Sequence, residues 1–348
     1  MRLLLLAVLA CLAPLSCAGR HVSPSKATTQ ARRVADAKDV PETRVLAANL
    51  ALPVDVRVVA SPGWAALIAL GAAYQVLTSL AISRLGHPLA VATAQFLTVS
   101  AFNFIARVRK APSFSKEKLL KLLPCAALHA FAGGLLLLAF PSGVGLVNTI
   151  RQMSCVGALV LAGLFDRSVP KPMSSLAAAV SVIGSVYSTS GRLDLDAFKS
   201  FLSMKAVRYT LGSLATLTVR SRFFRGADGI PDIAAYDNLL AALMLIPTAM
   251  HFEGKRVFAN LFDNITGNLE SFAYLIGSGL AIALVHDNAG KVDRSGEKSA
   301  VAFLISKLVT FTAIGVFVKE TFSRDRLIGI AIAIMGSYAF DIYSLRKI

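Results

Sequence analysis

Apolar stretches of about twenty residues recur along the chain beyond residue 60, and a stretch of that length matches the hydrocarbon thickness of a bilayer when coiled as an α-helix. They run from Gly63 to Ile82, Leu89 to Ala106, Leu119 to Phe140, Gly143 to Phe165 and Met173 to Ser190. After the polar hinge Gly191-Arg192-Leu193-Asp194-Leu195-Asp196 they resume at Phe201 to Val219, Ile233 to His251, Glu270 to Val285, Ala300 to Val318 and Leu327 to Ser344. The pattern predicts an all-α integral membrane protein with about ten transmembrane helices, five on each side of the hinge. Two sets with an odd number of spans must cross the bilayer in opposite directions, which is the arrangement of two inverted five-helix repeats. The transporter-like core is therefore 61–348, with repeat one at 61–190 and repeat two at 198–348. No strong residue identity links the halves.

Composition agrees. Of 348 residues, 55% are hydrophobic and only 16% charged, whereas a soluble domain carries about a quarter charged residues. The net charge of +16 raises the question of nucleic acid, but the bases form short clusters between apolar runs, with no basic domain and no basic groove studded with aromatics. Cys11, Cys17, Cys125 and Cys155 lie in apolar runs without metal spacing, so neither a disulfide framework nor a metal site is indicated. His87, His129 and His251 belong to different segments, which also argues against a metal.

Residues 1–18 have one basic residue, a short apolar core and Ser16-Cys17-Ala18, the pattern of a signal peptide or signal anchor. Residues 19–60 read as a polar tail, with the composition of a transit segment as one reading. Lys and Arg near the predicted helix ends number sixteen on the side holding the start of the first span and the C-terminus, Arg220 and Arg222 among them, against eight on the other. That bias places both ends of the core in the cytosol or its equivalent. A cleaved signal peptide would deliver the tail to the lumen instead. An uncleaved anchor, a second import step into a plastid or an inverted core would each reconcile the two.

Two cations fall well inside spans: Arg151 in Asn148-Thr149-Ile150-Arg151-Gln152 and Lys307 in Leu304-Ile305-Ser306-Lys307-Leu308. A cation at such depth costs a few kcal/mol or more, so it faces a cavity, a partner or a substrate. Asp166, Glu320 and Asp341 stand near segment ends, which leaves no mid-span acid to neutralise them. The two occupy equivalent places in the fourth and ninth spans, and a symmetric pair of cations suits a doubly charged anion. Tyr236-Asp237-Asn238-Leu239-Leu240 opens the seventh span; its polar groups suit either helix capping or contact with a sugar or base. Gly133-Gly134 and Gly277-x-Gly279 suit close helix packing.

The layout, Asn148-Thr149-Ile150-Arg151, Tyr236-Asp237-Asn238-Leu239-Leu240, Ser306-Lys307 and the closing Leu327 to Tyr338 run together resemble the nucleotide-sugar and triose-phosphate translocator branch of the drug/metabolite transporter superfamily, over roughly residues 63 to 345. Asp237 stands where related GDP-mannose carriers have Asn. Of their Gly-Ala-Leu-Asn-Lys element only Lys307 is kept, and Leu308 replaces the Arg of triose-phosphate carriers. The resemblance implies an antiporter, without enzymatic activity or cofactor, that exchanges a nucleotide sugar for a nucleoside monophosphate by alternating access. In it Arg151 and Lys307 hold phosphates, Tyr236 and Asn238 contact the sugar or base, and Asn148 and Gln152 are further candidates. The alternatives are a plastid sugar-phosphate/phosphate translocator and a non-transporting membrane scaffold. The expected partners are an anionic small molecule and the lipid bilayer, with no nucleic acid; a homodimer is a possible assembly. Golgi or related endomembranes and the plastid envelope are the expected locations.

Overall fold

The computed structural model describes residues 61–107, 116–165, 169–223, 231–289 and 297–345. These belong to the compact unit that starts at Val58; the signal segment 1–18 and the tail assigned to 19–60 lie outside the described residues. Every described element is helical. We number them α1 (Pro62–Leu85), α2 (Pro88–Arg107), α3 (Lys116–Ala139), α4 (Val144–Arg151), α5 (Ser154–Phe165), α6 (Pro172–Ser190), α7 (Leu195–Ser203), α8 (Lys205–Phe223), α9 (Pro231–Glu253), α10 (Val257–Gly267), α11 (Leu269–Ala289), α12 (Glu297–Ala313) and α13 (Arg324–Leu345). Short irregular turns at Phe140–Ser142 and Ile314–Val318 close α3 and α12. Pro62, Pro88, Pro172 and Pro231 open four of the helices, where a missing N–H costs nothing. Gly86 and Gly191 end α1 and α6 in the left-handed conformation at φ 70° and 64°, which a residue with a Cβ adopts only with strain.

Eight segments are long and apolar enough to cross a membrane: Pro62–Leu85, Pro88–Ile105, Leu119–Ser142, Val144–Leu164, Ile233–Glu253, Leu269–Asn288, Ser299–Val318 and Arg324–Ser344, as a multi-pass membrane protein requires. The fifth and sixth of the ten expected spans form helices but fall short in hydropathy. In α6 the reason is a run of hydroxyls, Ser174, Ser181, Ser185 and Ser188, all buried. In α8 it is charge: Lys205, Arg208, Arg220 and Arg222 all lie within the helix.

Three expectations need correction. The segment Phe201 to Val219 is not continuous, because the extended backbone of Met204 separates α7 from α8. The short α7 buries Ala197 and Phe201 and is capped by Asp194, whose Oδ1 accepts from Ala197 N at 2.6 Å. The segment Gly143 to Phe165 is also interrupted, between α4 and α5. Finally, Arg220 and Arg222, counted above with the loop cations, lie in α8, and Arg220 is buried.

The helices pair in a regular way. The most extensive contacts are α6 with α13, α2 with α9, α1 with α11 and α3 with α8; α2 with α11 and α3 with α9 follow. Thus α11 packs against α1 and α2, and α3 against α8 and α9. Each of these triplets is pinned by a buried polar side chain on its middle helix. Gln95 of α2 donates through Nε2 to Thr78 Oγ1 of α1 at 2.9 Å and to Ser278 Oγ of α11 at 2.8 Å. Asp237 of α9 accepts at Oδ2 from Arg220 Nη2 of α8 at 2.8 Å and meets His129 Nδ1 of α3 at 2.7 Å. Between α6 and α13 the backbones nearly touch: an added Cβ at Gly184, Gly329 or Gly336 would lie 2.3, 2.3 or 2.4 Å from a backbone nitrogen of the other helix. Small residues give such seams the close approach from which packing in lipid is built. Gly133 and Gly279 do the same against Phe96 and Thr98, as their sequence context suggested.

Candidate functional site

The site is organised by the break between α4 and α5. Around it the backbone tightens to bonds three residues apart: Gln152 N to Thr149 O at 3.0 Å, Met153 N to Ile150 O at 2.9 Å and Val156 N to Met153 O at 2.9 Å. The Gln152 amide turns back on its own helix and donates to Asn148 O at 2.7 Å. Carbonyls at the break find hydroxyls on α6, with Ser181 Oγ donating to Gln152 O at 2.9 Å and Ser185 Oγ to Thr149 O at 3.3 Å. Irregular backbone persists at membrane depth only when its polar groups are satisfied in this way. The hydroxyls that make α6 poor in hydropathy are therefore the ones that allow α4 to stop at Arg151.

Arg151 and Lys307 line one cavity of about 430 Å³, together with Tyr74 and Gln75 of α1, Asn148 of α4, His286 of α11 and Ser306 and Thr310 of α12. Trp64 and Phe303, whose rings meet edge to face at 6.3 Å, stand at its α1 and α12 walls. Both cations are partly exposed to this space, and among the described residues neither makes a hydrogen bond or ion pair. Asn148 Nδ2 donates to Val144 O at 3.0 Å and approaches Gln75 Oε1 at 3.5 Å. Lys307 also lines a second chamber of about 500 Å³, with Gln152, Cys155, Thr218, Ser337, Tyr338 and Asp341. This corrects the view that no acid approaches the cations: Asp341 shares that chamber with Lys307 and acts on it electrostatically, although no ion-pair contact between them forms.

Of the six residues expected to contact a substrate, Arg151, Lys307 and Asn148 come together in the first chamber, and Gln152 joins Lys307 in the second. Tyr236 and Asn238 line neither. The Tyr236 ring packs edge to face on Phe104 of α2 at 5.1 Å. Asn238 is buried and donates to Ala234 O of its own helix at 2.7 Å. Between them Asp237 makes polar contacts to two other helices. Sequence reasoning missed this node, with Asp237 left between helix capping and substrate contact, Arg220 counted as a loop cation and His129 set apart from the other histidines. The signal available was an acid six residues into an apolar helix, with an Arg near the end of the helix before it.

Carboxylates clasp helix ends together at a second face, around a further cavity of about 620 Å³ lined by Ser79, Gly86, Gly143, Val144 and Glu320. Glu253, ending α9, accepts from Leu89 N at 2.6 Å and Ala90 N at 3.0 Å at the start of α2. Glu320, beyond α12, accepts from Gly145 N of α4 at 2.8 Å and from Arg326 of α13. Arg84 at the end of α1 meets Glu270 at the start of α11 at 3.4 Å. The Glu253 and Glu320 carboxylates satisfy helix-start donors that have no partner within the helix and complement its dipole; at the start of α11 the Asn268 Oδ1 accepts from Glu270 N and Ser271 N instead.

No protein-family model matches the chain, and no curated protein matches it. Among solved structures it is similar to one described only as the crystal structure of a protein, at 15% identity and a TM-score of 0.47, over 79% of this chain and 96% of that one.

Proposed function

We propose that the protein is an antiporter that exchanges a nucleotide sugar for a nucleoside monophosphate by alternating access. The observation that carries this reading is the shared cavity of Arg151 and Lys307, two cations on α4 and α12 that face open space and have no anionic partner in contact among the described residues. Two positive charges inside a membrane protein call for a mobile anion of about two negative charges. An empty cavity would have to reorient with Arg151 uncompensated and Lys307 offset only by the non-contacting Asp341, while an occupied one would not. Exchange follows from that electrostatic asymmetry without an ion gradient.

The pairing of helices supports the inverted-repeat reading. Exchanging each long helix for the one five places on converts α1–α11 into α8–α3 and α2–α11 into α9–α3, and leaves α2–α9 and α6–α13 unchanged. The Gln95 and Asp237 nodes interchange under the same operation. The second chamber sharing Lys307 favours an elongated anion over a triose phosphate, since the two spaces together exceed what a small phosphate ester fills. Arg151 and Lys307 then hold phosphates, Asn148 and Gln152 flank them, and Ser337 and Tyr338 face the remainder. An internal membrane, of the Golgi type or a plastid envelope, is the proposed location.

The test is uptake by reconstituted vesicles preloaded with a nucleoside monophosphate, inorganic phosphate or nothing. Preloading with the monophosphate should accelerate uptake of a labelled nucleotide sugar many-fold over empty vesicles. Arg151→Ala and Lys307→Ala should each reduce exchange more than tenfold, each removing a charge-assisted contact of about 1.5–3 kcal/mol. Equal uptake with and without preloading, or normal exchange by both variants, would overturn the reading; acceleration by phosphate alone would favour the sugar-phosphate translocator.

A further inference from the structure

We infer that Glu320 is a positioning residue that ties closure of the clasped face to occupancy of the cavity, acting through α4 as a short rigid rod; this rests on the carrier reading above. The α4 helix has 8 residues. Its first turn is held by the Glu320 carboxylate through Gly145 N, and its last residue is Arg151. A tightened turn at Gln152-Met153, with bonds three residues apart, joins it to α5, and such tightening within a helix is where helices hinge. Glu320 in turn follows the helix that carries Lys307. The turn of Ile314–Val318 widens to π-helical bonding, and Lys319 has φ 60°, so the chain leaves α12 at an angle that brings Glu320 back to α4. Wide turns of this kind are concentrated at functional positions.

The fit at this contact is close. At Gly143, with φ 116°, an added Cβ would lie 2.9 Å from Glu320 Oε1, and at Gly145 it would lie 2.6 Å from the Phe322 ring and 3.1 Å from Glu320 Oε1. Arg326 holds the other carboxylate oxygen and lies over the Phe322 ring at 4.9 Å from its centroid. One carboxylate thereby connects both cation-bearing helices and α13. An anion drawing Arg151 and Lys307 together moves α4 along its axis relative to the end of α12, which loosens Glu320 from Gly145 and lifts Phe322. With no anion, the two cations repel and the clasp stays shut.

The test combines sided chemical labelling with flux. Gln75→Cys, buried on the cavity floor, is exposed to a membrane-impermeant maleimide from the clasped face, with the parent chain as baseline. Glu320→Ala should raise labelling at least tenfold and bring uptake into empty vesicles close to that into preloaded ones. Gly145→Ala keeps every charge but displaces Phe322, and should act in the same direction. The double exchange Glu320→Arg with Arg326→Glu should not restore closure, because a cation at the α4 N-terminus opposes the helix dipole. Unchanged labelling in both single variants, or full rescue by the double exchange, would overturn the inference. Increased labelling in a protein whose parent shows no exchange under any preloading would leave the gate standing and remove the carrier reading instead.

Discussion

The two buried polar nodes occupy corresponding places and use different chemistry. Gln95 joins α1, α2 and α11 with two neutral hydrogen bonds, while Asp237 joins α8, α9 and α3 with an Arg ion pair and a His contact. Hydrogen bonds between helices in lipid average about 0.6 kcal/mol, reaching about 1.7, because the separated helices find other partners. A buried ion pair behaves otherwise: its net worth is small, yet losing one partner is severe since a charge is left without compensation. The two triplets are therefore held with similar net strength but differ greatly in their tolerance of change. Geometry is shared; fragility is not.

That contrast can be broken experimentally. The largest effect is expected for Asp237→Ala, which removes the buried carboxylate that bridges Arg220 and His129 and should cost about 3–5 kcal/mol, seen as loss of a monodisperse peak in detergent or a sharp fall in melting temperature. At the neutral node, Gln95→Leu should cost about 0.6–1.7 kcal/mol, with the protein still recovered. The smallest change is expected when Arg220→Met and Asp237→Leu are combined, since replacing a buried pair by apolar groups of similar size is often neutral or stabilising. A double variant as damaged as Asp237→Ala would mean that the node does more than hold helices. A Gln95→Leu protein as unstable as Asp237→Ala would erase the distinction altogether.

Much of the architecture was legible because long apolar runs admit few alternatives. Arg151 and Lys307 were legible for the same reason: a charge within such a run stands out, and both reach one cavity. Less visible were features in which a polar residue is spent inside the protein. Ser181 and Ser185 read as ordinary small residues until the α4 break gives their hydroxyls acceptors. Tyr236 and Asn238 flank Asp237, and residue type alone does not say which of three consecutive polar side chains holds an ion pair to another helix. Glu320 lies near a segment end, where a carboxylate is unremarked in sequence; only the return of the chain at Lys319 brings it to Gly145.

The α6–α13 seam also bears on how the protein is made. Ribosomes deliver α6 to the membrane well before α13, yet its most extensive neighbour is α13, approached as closely as only glycine allows. The helix that α6 packs against most extensively is made long after it. Until Arg324–Leu345 emerges, α6 must be shielded by the insertion machinery or remain loosely placed. A chain ending before Arg324 should consequently lose the order of a helix in its first half, detectable as new protease cleavage between Pro172 and Ser190.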